Sequence, residues 1–198
     1  MMSKTLQLSN NRIAHYFEQG EGEPLVLIHG VGMQAAAWYP QIEYFSKHYH
    51  VISVDMPGHG QSTKLPADAK LQDFVEWTIE FITALNLGPV NLAGHSMGSL
   101  ITTGVSVTRP DLVKRMAVLN GVYKRTPQAR NAVIQRAEEL KTGRIDVETP
   151  LQRWFGESEV ERIAAAKVKT WLENVDLSGY TTAYSAFAQG DEIGRAHV

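Results

Sequence analysis

Residues 89–98 of the chain read Pro-Val-Asn-Leu-Ala-Gly-His-Ser-Met-Gly. The apolar run at residues 90–93 has the length and composition of a buried strand. It leads directly into a Gly-x-Ser-x-Gly pattern centred on Ser96, and the residues after that pattern favour a helix. The flanking Gly94 and Gly98 leave room for a serine on a sharp, strained turn. We therefore predict that the Ser96 hydroxyl is exposed at the N-terminal end of a helix, where negative charge is stabilised.

Apolar runs and helical patterns alternate along the chain. The predicted strands are residues 6–8, 12–17, 25–28, 50–54, 90–93 and 113–119. The predicted helices are residues 35–47, 71–87, 99–102, 127–141, 150–155, 159–174 and 179–189. Strands that alternate with helices predict a mostly parallel sheet with helices on both faces. The strand at residues 113–119 would form a long apolar edge, open to pairing with other chains, so we expect the polypeptide to aggregate.

Three glycine-rich loops follow predicted strands. They are residues 29–32 (His-Gly-Val-Gly), 55–62 (Asp-Met-Pro-Gly-His-Gly-Gln-Ser) and 94–98 (Gly-His-Ser-Met-Gly). Each motif alone also fits an ordinary turn without chemistry. Because ligands bind at the carboxyl ends of the strands in such sheets, the three loops together predict a functional site at that edge.

These three motifs, in this order and with Trp38 soon after the first, resemble the α/β-hydrolase fold of the esterase, lactonase and carbon–carbon-bond hydrolase group. The resemblance extends from residue 6 to about residue 189. It implies a sheet core at residues 1–122 and a helical cap at residues 123–191. It also implies two further sheet strands, which do not follow the cap in this sequence, so the last two strands of the sheet are expected to be missing.

The resemblance assigns roles to the motif residues. Ser96 is the nucleophile, and the backbone N–H groups of Val31 and Met97 stabilise the oxyanion that forms when it attacks a carbonyl group. Structural roles fall to the other motif residues, which are His29, Gly30, Gly32, Gly94, His95 and Gly98. Relatives that open epoxides or displace halide carry aspartate where this chain has Ser96, so those reactions are not expected.

The catalytic acid and base of this family follow the nucleophile along the chain. Asp55 and His59 precede Ser96 and are expected to shape their loop, while His15, His48 and His50 are more typical of surface or strand positions. Since no suitable acid or histidine follows the cap, the chain is expected to be an inactive fragment of a longer hydrolase.

The last residues, 192–198, differ in character from the cap that precedes them. With one choice of codons their back-translation resembles a sequencing adapter, which suggests a non-native tail. Among the aromatic residues, Trp38, Trp154 and Tyr184 are candidates for substrate binding. Packing within the core is the alternative for each of these side chains.

The composition of the chain excludes some classes of function. The 198 residues include no cysteine and carry a net charge of −2, with 43% hydrophobic residues. This excludes thiol chemistry and gives no reason to expect nucleic acid or a membrane as partner. The N-terminus lacks the apolar segment of a signal peptide, so we predict a cytoplasmic protein. No metal-binding spacing occurs, and no cofactor is expected; the expected partner is a small-molecule substrate.

The sequence therefore predicts a serine hydrolase that cleaves a carboxylic ester, a lactone or a related acyl or carbon–carbon bond. Two alternatives remain open. One is a non-catalytic relative that binds a small ligand, and the other is an acyltransferase or perhydrolase, which shares the same motifs.

Overall fold

The computed structural model describes residues 1–190. Its strands are β1 (Met2–Gln7), β2 (Ile13–Gln19), β3 (Glu23–Ile28), β4 (Tyr49–Val54), β5 (Val90–His95) and β6 (Val113–Leu119). They form one six-stranded sheet in the order β1-β2-β4-β3-β5-β6. The first two strands pair antiparallel, as do β2 and β4, and the other pairs are parallel. The prediction of a mostly parallel sheet is confirmed. The predicted tail at residues 192–198 lies outside the described residues.

Seven α-helices accompany the sheet within that range. They are α1 (Tyr39–Phe45), α2 (Leu71–Leu85), α3 (Met97–Thr108), α4 (Pro127–Lys141), α5 (Glu148–Trp154), α6 (Glu159–Glu173) and α7 (Leu177–Gln189). The helix predicted at residues 35–47 is wrong as a single element. Residues Ala35–Trp38 form a 3₁₀ turn, and α1 begins only at Tyr39. Pro40 explains the break, because it cannot donate a backbone hydrogen bond and so must lie in the first turn of a helix.

The two faces of the sheet bury different side chains. Along β3, Leu27 faces α1, whereas Val26 and Ile28 face α2 and α3. The α1 side holds Leu27, Trp38, Ile42, Val51 and Ala93. The larger cluster on the other side includes Ile52, Leu92, Phe74, Trp77, Phe81, Leu100 and Ile101. This alternation is the period of two expected of strands that are covered on both faces.

Helices α4 to α7 follow β6 and pack over the loop after β3. Leu140, Leu151, Val168, Leu172 and Tyr180 form a buried cluster, against which Val31 and Met33 of that loop pack. The division into a core at residues 1–122 and a cap at residues 123–191 stays a prediction. None of the helices in the described part of the chain has the length and apolar character needed to cross a bilayer.

Strand β6 lies at one edge of the sheet. Within residues 1–190 it pairs only with β5, and Met116, Val118 and Leu119 are each more than 40% exposed. Lys114 and Arg115 at its start form ion pairs with Glu23. These charges disfavour pairing of the first half of β6 with another chain. The second half presents apolar side chains beside unpaired backbone groups, which favours such pairing.

We predict that the polypeptide of residues 1–198 associates through β6. Replacing Met116 by Lys places a charge on the exposed edge and should shift the protein toward monomer, whereas Met116→Leu should not. Size-exclusion chromatography with light scattering over a range of concentrations measures the effect. A wild-type chain that stays monomeric throughout would contradict the prediction.

Candidate active site

Ser96 joins β5 to α3 in a strained backbone conformation. Its φ is 55° and its ψ is −118°, a region that residues other than glycine rarely adopt. A side chain at Gly94 would overlap the carbonyl group of Gly98, and one at Gly98 would overlap the carbonyl group of Ile28. Both glycines are therefore required for the turn to pack against β3.

The backbone around Ser96 is held on both sides. Its N–H donates to the Leu119 carbonyl at 3.0 Å, and its own carbonyl accepts from the Ser99 N–H at 2.9 Å. The side chain is half-buried, and its hydroxyl makes no hydrogen bond to another residue of the described chain. The strained turn thus presents a hydroxyl that is not committed to a structural role.

Two backbone N–H groups, one in α3 and one in the loop after β3, are also uncommitted. The N–H of Met97 is the first of α3 and has no partner within the helix. The N–H of Val31 makes none of the hydrogen bonds found among residues 1–190. Gly30 brings this loop close to the serine, because a Cβ placed on it would lie 3.1 Å from the Ser96 Cβ. This arrangement can place two donors beside an oxygen anion formed at Ser96.

His29 anchors the start of that loop. It is 1% exposed, its Nε2 accepts from the Met56 N–H at 2.9 Å, and its Nδ1 lies 2.8 Å from the Gly30 carbonyl. Acceptance at Nε2 requires the neutral tautomer with its proton on Nδ1. Burial holds the pKa of His29 well below its ordinary value, and the neighbouring His59 lowers it further.

His59 anchors the end of the same loop in the same way. Its Nε2 accepts from the Gly32 N–H at 3.0 Å, and its Nδ1 lies 3.1 Å from the Pro57 carbonyl. Burial lowers the pKa of His59 to about 4, so this ring is also neutral. The two buried histidines together tie the loop after β3 to the loop after β4.

Asp55 organises the loop after β4. Its carboxylate accepts from the N–H groups of Ala35 at 2.6 Å and Gln61 at 3.0 Å. His15, on β2, completes the set with its Nδ1 at 2.7 Å from Asp55 Oδ2. Gly60 is needed here because a side chain at that position would overlap the carboxylate. In this structure Asp55 is therefore a structural hub and not part of a catalytic dyad.

The bond between His15 and Asp55 was not predicted. His15 is a strand residue, as expected, but it is only 2% exposed, and its Nε2 lies 2.8 Å from Ser3 Oγ. Nothing in the local sequence signals this contact, because the two residues are 40 positions apart. Only the antiparallel pairing of β2 with β4 brings them together.

The predicted substrate-binding residues fall in different places. Trp38 is 8% exposed and packs in the core on the α1 side of the sheet. Trp154 is 43% exposed, and the guanidinium group of Arg153 lies 6.0 Å from its ring centre. Tyr184 packs against the cluster that contains Tyr180. Tyr184 thus lies beside a cluster on which Val31 and Met33 also pack, whereas Trp38 lies in a core cluster on the α1 side. A role of these three residues in substrate binding stays a prediction.

Helix α7 places Tyr180, one of the cap aromatic residues that the sequence offers as pocket-lining side chains, against the loop after β3. A Cβ on Gly32, whose φ is +81°, would lie 3.1 Å from the Tyr180 ring. The Tyr180 ring also contacts His59 edge-to-face, with the ring centres 6.3 Å apart. At the start of α7, Gly179 packs so closely on Gly58 that a Cβ on Gly58 would lie 2.6 Å from the Gly179 Cα. Backbone contact between these glycines sets the position of the helix.

The buried histidines leave no free ring nitrogen to act as a base. His29, His59 and His15 each use both nitrogens in hydrogen bonds. His95 is exposed, and its Nδ1 would lie 3.2 Å from a Cβ on Gly30. Within residues 1–190, no group of three or more histidine and carboxylate side chains could hold a metal ion.

A serine on a strained turn between strand and helix, facing a glycine-rich loop at the carboxyl edge of a parallel sheet, defines a hydrolase architecture. The chain belongs to the α/β-hydrolase fold family, which matches residues 23–178. An (E)-2-((N-methylformamido)methylene)succinate hydrolase from Acinetobacter baylyi is 84% identical over 193 residues, which cover 98% of this chain and 73% of that protein. The chain is thus a hydrolase of this fold.

Solved structures agree with this fold. A hydrolase from Pseudomonas aeruginosa PA01 has a TM-score of 0.84 at 20% identity and covers 96% of this chain and 73% of its own. An E-2-(acetamidomethylene)succinate hydrolase has a TM-score of 0.75 at 21% identity, with 96% of this chain and 72% of its own covered. At these identities the likeness establishes the fold alone.

The neutral histidines predict a loss of stability in acid. Because the folded-state pKa of His59 is about 4, below its ordinary 6.5, the unfolded chain binds the proton first as pH falls. The free energy of unfolding should therefore be highest above pH 6.5 and fall by about 3 kcal/mol as the pH decreases to about 4. Denaturant titrations of wild type, His59→Gln and the exposed-histidine control His48→Gln measure this. An equal pH dependence in wild type and His59→Gln would refute the assignment.

Removing the Asp55 carboxylate should destabilise the protein strongly. Asp55→Ala leaves His15 and two backbone donors buried without their partner, which typically costs about 3–5 kcal/mol. The exposed Asp68 provides a control, since Asp68→Ala should change stability by less than about 0.5 kcal/mol. Urea unfolding monitored by tryptophan fluorescence distinguishes the two variants, and equal stabilities would show that Asp55 is not the hub described above.

Proposed function

We propose that this protein is a serine hydrolase in which Ser96 is the nucleophile and the N–H groups of Val31 and Met97 form the oxyanion hole. The observation that carries the proposal is the Ser96 turn itself. A positive φ, an uncommitted hydroxyl and two uncommitted backbone donors occur together at the carboxyl edge of the sheet. Strain of this kind persists where the surroundings hold it in place, and it is concentrated at functional sites.

The proposed substrate is an N-acylated aminomethylene succinate. The support for it is the 84% identity to the Acinetobacter baylyi hydrolase, whose substrate is (E)-2-((N-methylformamido)methylene)succinate. This compound carries two carboxylates and a formamide group. An amide of this type belongs to the acyl substrates expected of the fold. The proposed substrate is therefore more specific than the choice among an ester, a lactone and a carbon–carbon bond that the sequence motifs alone suggest.

The proposed reaction follows from the chemistry of a serine nucleophile and two backbone N–H donors. The Ser96 oxygen bonds to the formyl carbon while its proton passes to a base, and the resulting oxyanion is stabilised by the two N–H groups. When the carbonyl group re-forms, the carbon–nitrogen bond breaks and the nitrogen takes a proton, which releases 2-((methylamino)methylene)succinate. Water then hydrolyses the formyl ester of Ser96 to formate.

This scheme requires a base at Ser96. Among residues 1–190 the buried histidines are all committed to structural hydrogen bonds, and none is bonded to Ser96. We therefore assign the base to a group outside the described residues. A polypeptide cut back to residues 1–190 is therefore expected to be inactive.

The test is labelling by a fluorophosphonate probe together with formate release from the amide substrate. Ser96→Ala should abolish labelling and reduce kcat by about 10⁴-fold or more relative to wild type. Ser106→Ala, which removes a hydroxyl from the same helix, should leave both unchanged. Folded protein that is not labelled would favour a ligand-binding relative. Transfer of the acyl group to added alcohol in preference to water would favour an acyltransferase.

A further inference from the structure

A chain of hydrogen-bonded side chains joins β1, β2 and the loop after β4. Ser3 Oγ lies 2.8 Å from His15 Nε2, and His15 Nδ1 lies 2.7 Å from Asp55 Oδ2. Strand pairing brings the first two together, because Ser3 is opposite Phe17 and is therefore a diagonal neighbour of His15 on the same face of the sheet. This is the order of hydroxyl, imidazole and carboxylate in which an imidazole can take a proton from the hydroxyl.

The contacts around His15 place its proton on Nδ1. The Asp55 carboxylate can only accept hydrogen bonds, so Nδ1 must donate to it. The side-chain nitrogen of Gln61 lies 3.4 Å from His15 Nε2, and an amide nitrogen can only donate. Nε2 is therefore the acceptor nitrogen of a neutral ring, and the Ser3 hydroxyl donates to it.

The imidazole in this chain is shielded, whereas the hydroxyl is accessible. His15 and Asp55 are each 2% exposed, and Ser3 lies exposed on the edge strand β1. The Phe17 ring contacts the His15 ring edge-to-face, with the ring centres 5.0 Å apart, and so restricts its rotation. A reagent in solvent can therefore reach the Ser3 oxygen while the imidazole stays oriented behind it. Asp55 remains the hub of its loop and acts on Ser3 only through His15.

We propose that Ser3 is a second nucleophilic serine, which activated aryl esters acylate with His15 as the general base and Asp55 as the residue that positions it. The Ser3 oxygen bonds to the carbonyl carbon of the ester while its proton passes to His15 Nε2. The bond from that carbon to the aryl oxygen then breaks, the phenolate departs, and the imidazolium returns its proton to water. The product is an ester of Ser3. This inference does not depend on the proposed function of Ser96.

Ser3 differs from Ser96 in what surrounds its oxygen. It lies in a regular strand and not on a strained turn, so solvent and not a preorganised pair of N–H groups must stabilise an oxyanion there. Each missing donor costs about 10²–10³ in rate. Ser3 should therefore be acylated slowly, and it should not take up a fluorophosphonate in the time that labels Ser96. The reactive aryl ester p-nitrophenyl acetate is the probe for Ser3.

The first experiment measures acetylation of Ser3 in the variant Ser96→Ala, which removes the other candidate nucleophile. The protein is treated with p-nitrophenyl acetate, digested and mapped by mass spectrometry, and alkaline hydroxylamine distinguishes the serine ester from acetylation of Lys4. Ser9 is the internal control, because its exposed hydroxyl accepts from Arg12 and, in the described chain, is bonded to no histidine. Ser3 should react about 10²-fold faster than Ser9 or more. Equal rates in the folded protein would overturn the proposal.

The second experiment assigns the roles of His15 and Asp55. His15→Gln removes the base, and Asp55→Asn offers Nδ1 an amide in place of the carboxylate that fixes its proton. Each is combined with Ser96→Ala and checked for folding by circular dichroism, and each should lower the rate at Ser3 to about that at Ser9. Acetylation of Ser3 that stays fast in folded His15→Gln would overturn His15 as the base.

Two measurements on the Ser96→Ala protein keep the test decisive if those variants do not fold. In concentrated urea the chain of hydrogen bonds is lost, so Ser3 and Ser9 should be acetylated at equal rates. In D₂O the reaction of folded protein at Ser3 should slow, because a proton leaves the oxygen during attack, and a purely structural hydrogen bond would not produce this effect. A preference for Ser3 that persists in urea would show that the folded arrangement is not its cause and would refute the proposal.

Discussion

Close backbone contact at Gly98 is the constraint on which the rest of this site depends. The first turn of α3 presses against the end of β3 so tightly that a side chain at Gly98 would overlap the Ile28 carbonyl. The loop that begins at His29 therefore starts beside the Ser96 turn. The positive φ of Ser96 costs about 1–3 kcal/mol, and the hydrogen bond to Leu119 and the packing of α3 offset this cost. One steric contact thus positions the Ser96 turn beside the loop that begins at His29.

His29 and His59 show how the backbone N–H groups of a buried loop find hydrogen-bond acceptors. Loops buried under other elements must find acceptors for N–H groups that no sheet or helix uses. Here neutral imidazoles accept from Met56 and Gly32, and the Asp55 carboxylate accepts from Ala35 and Gln61. These bonds hold the loops after β3 and β4 as one unit beneath α7. Both ring nitrogens of His29 and His59 lie in structural hydrogen bonds. These two histidines therefore provide rigidity and not proton transfer.

Much of the fold could be predicted because the signals were local. Continuous apolar runs indicated β3, β4 and β6, and the helix predicted at residues 127–141 coincides with α4. The helix predicted at residues 35–47 failed because Pro40 lay inside an amphipathic pattern and restarted the helix. The serine turn and its flanking glycines were also readable from the sequence, since their conformation depends on neighbours within a few positions.

The sequence by itself determined the order of strands and helices, the Ser96 turn and the loops at the carboxyl edge of the sheet. Only the tertiary structure decided that His15 bonds to Asp55, that Trp38 lies in the core, and that Tyr180 covers Gly32. The physical reason is the distance along the chain between the residues that interact. Local conformation follows from steric preferences and periodicity within one segment, whereas these contacts depend on strand register and helix packing between segments far apart in the chain.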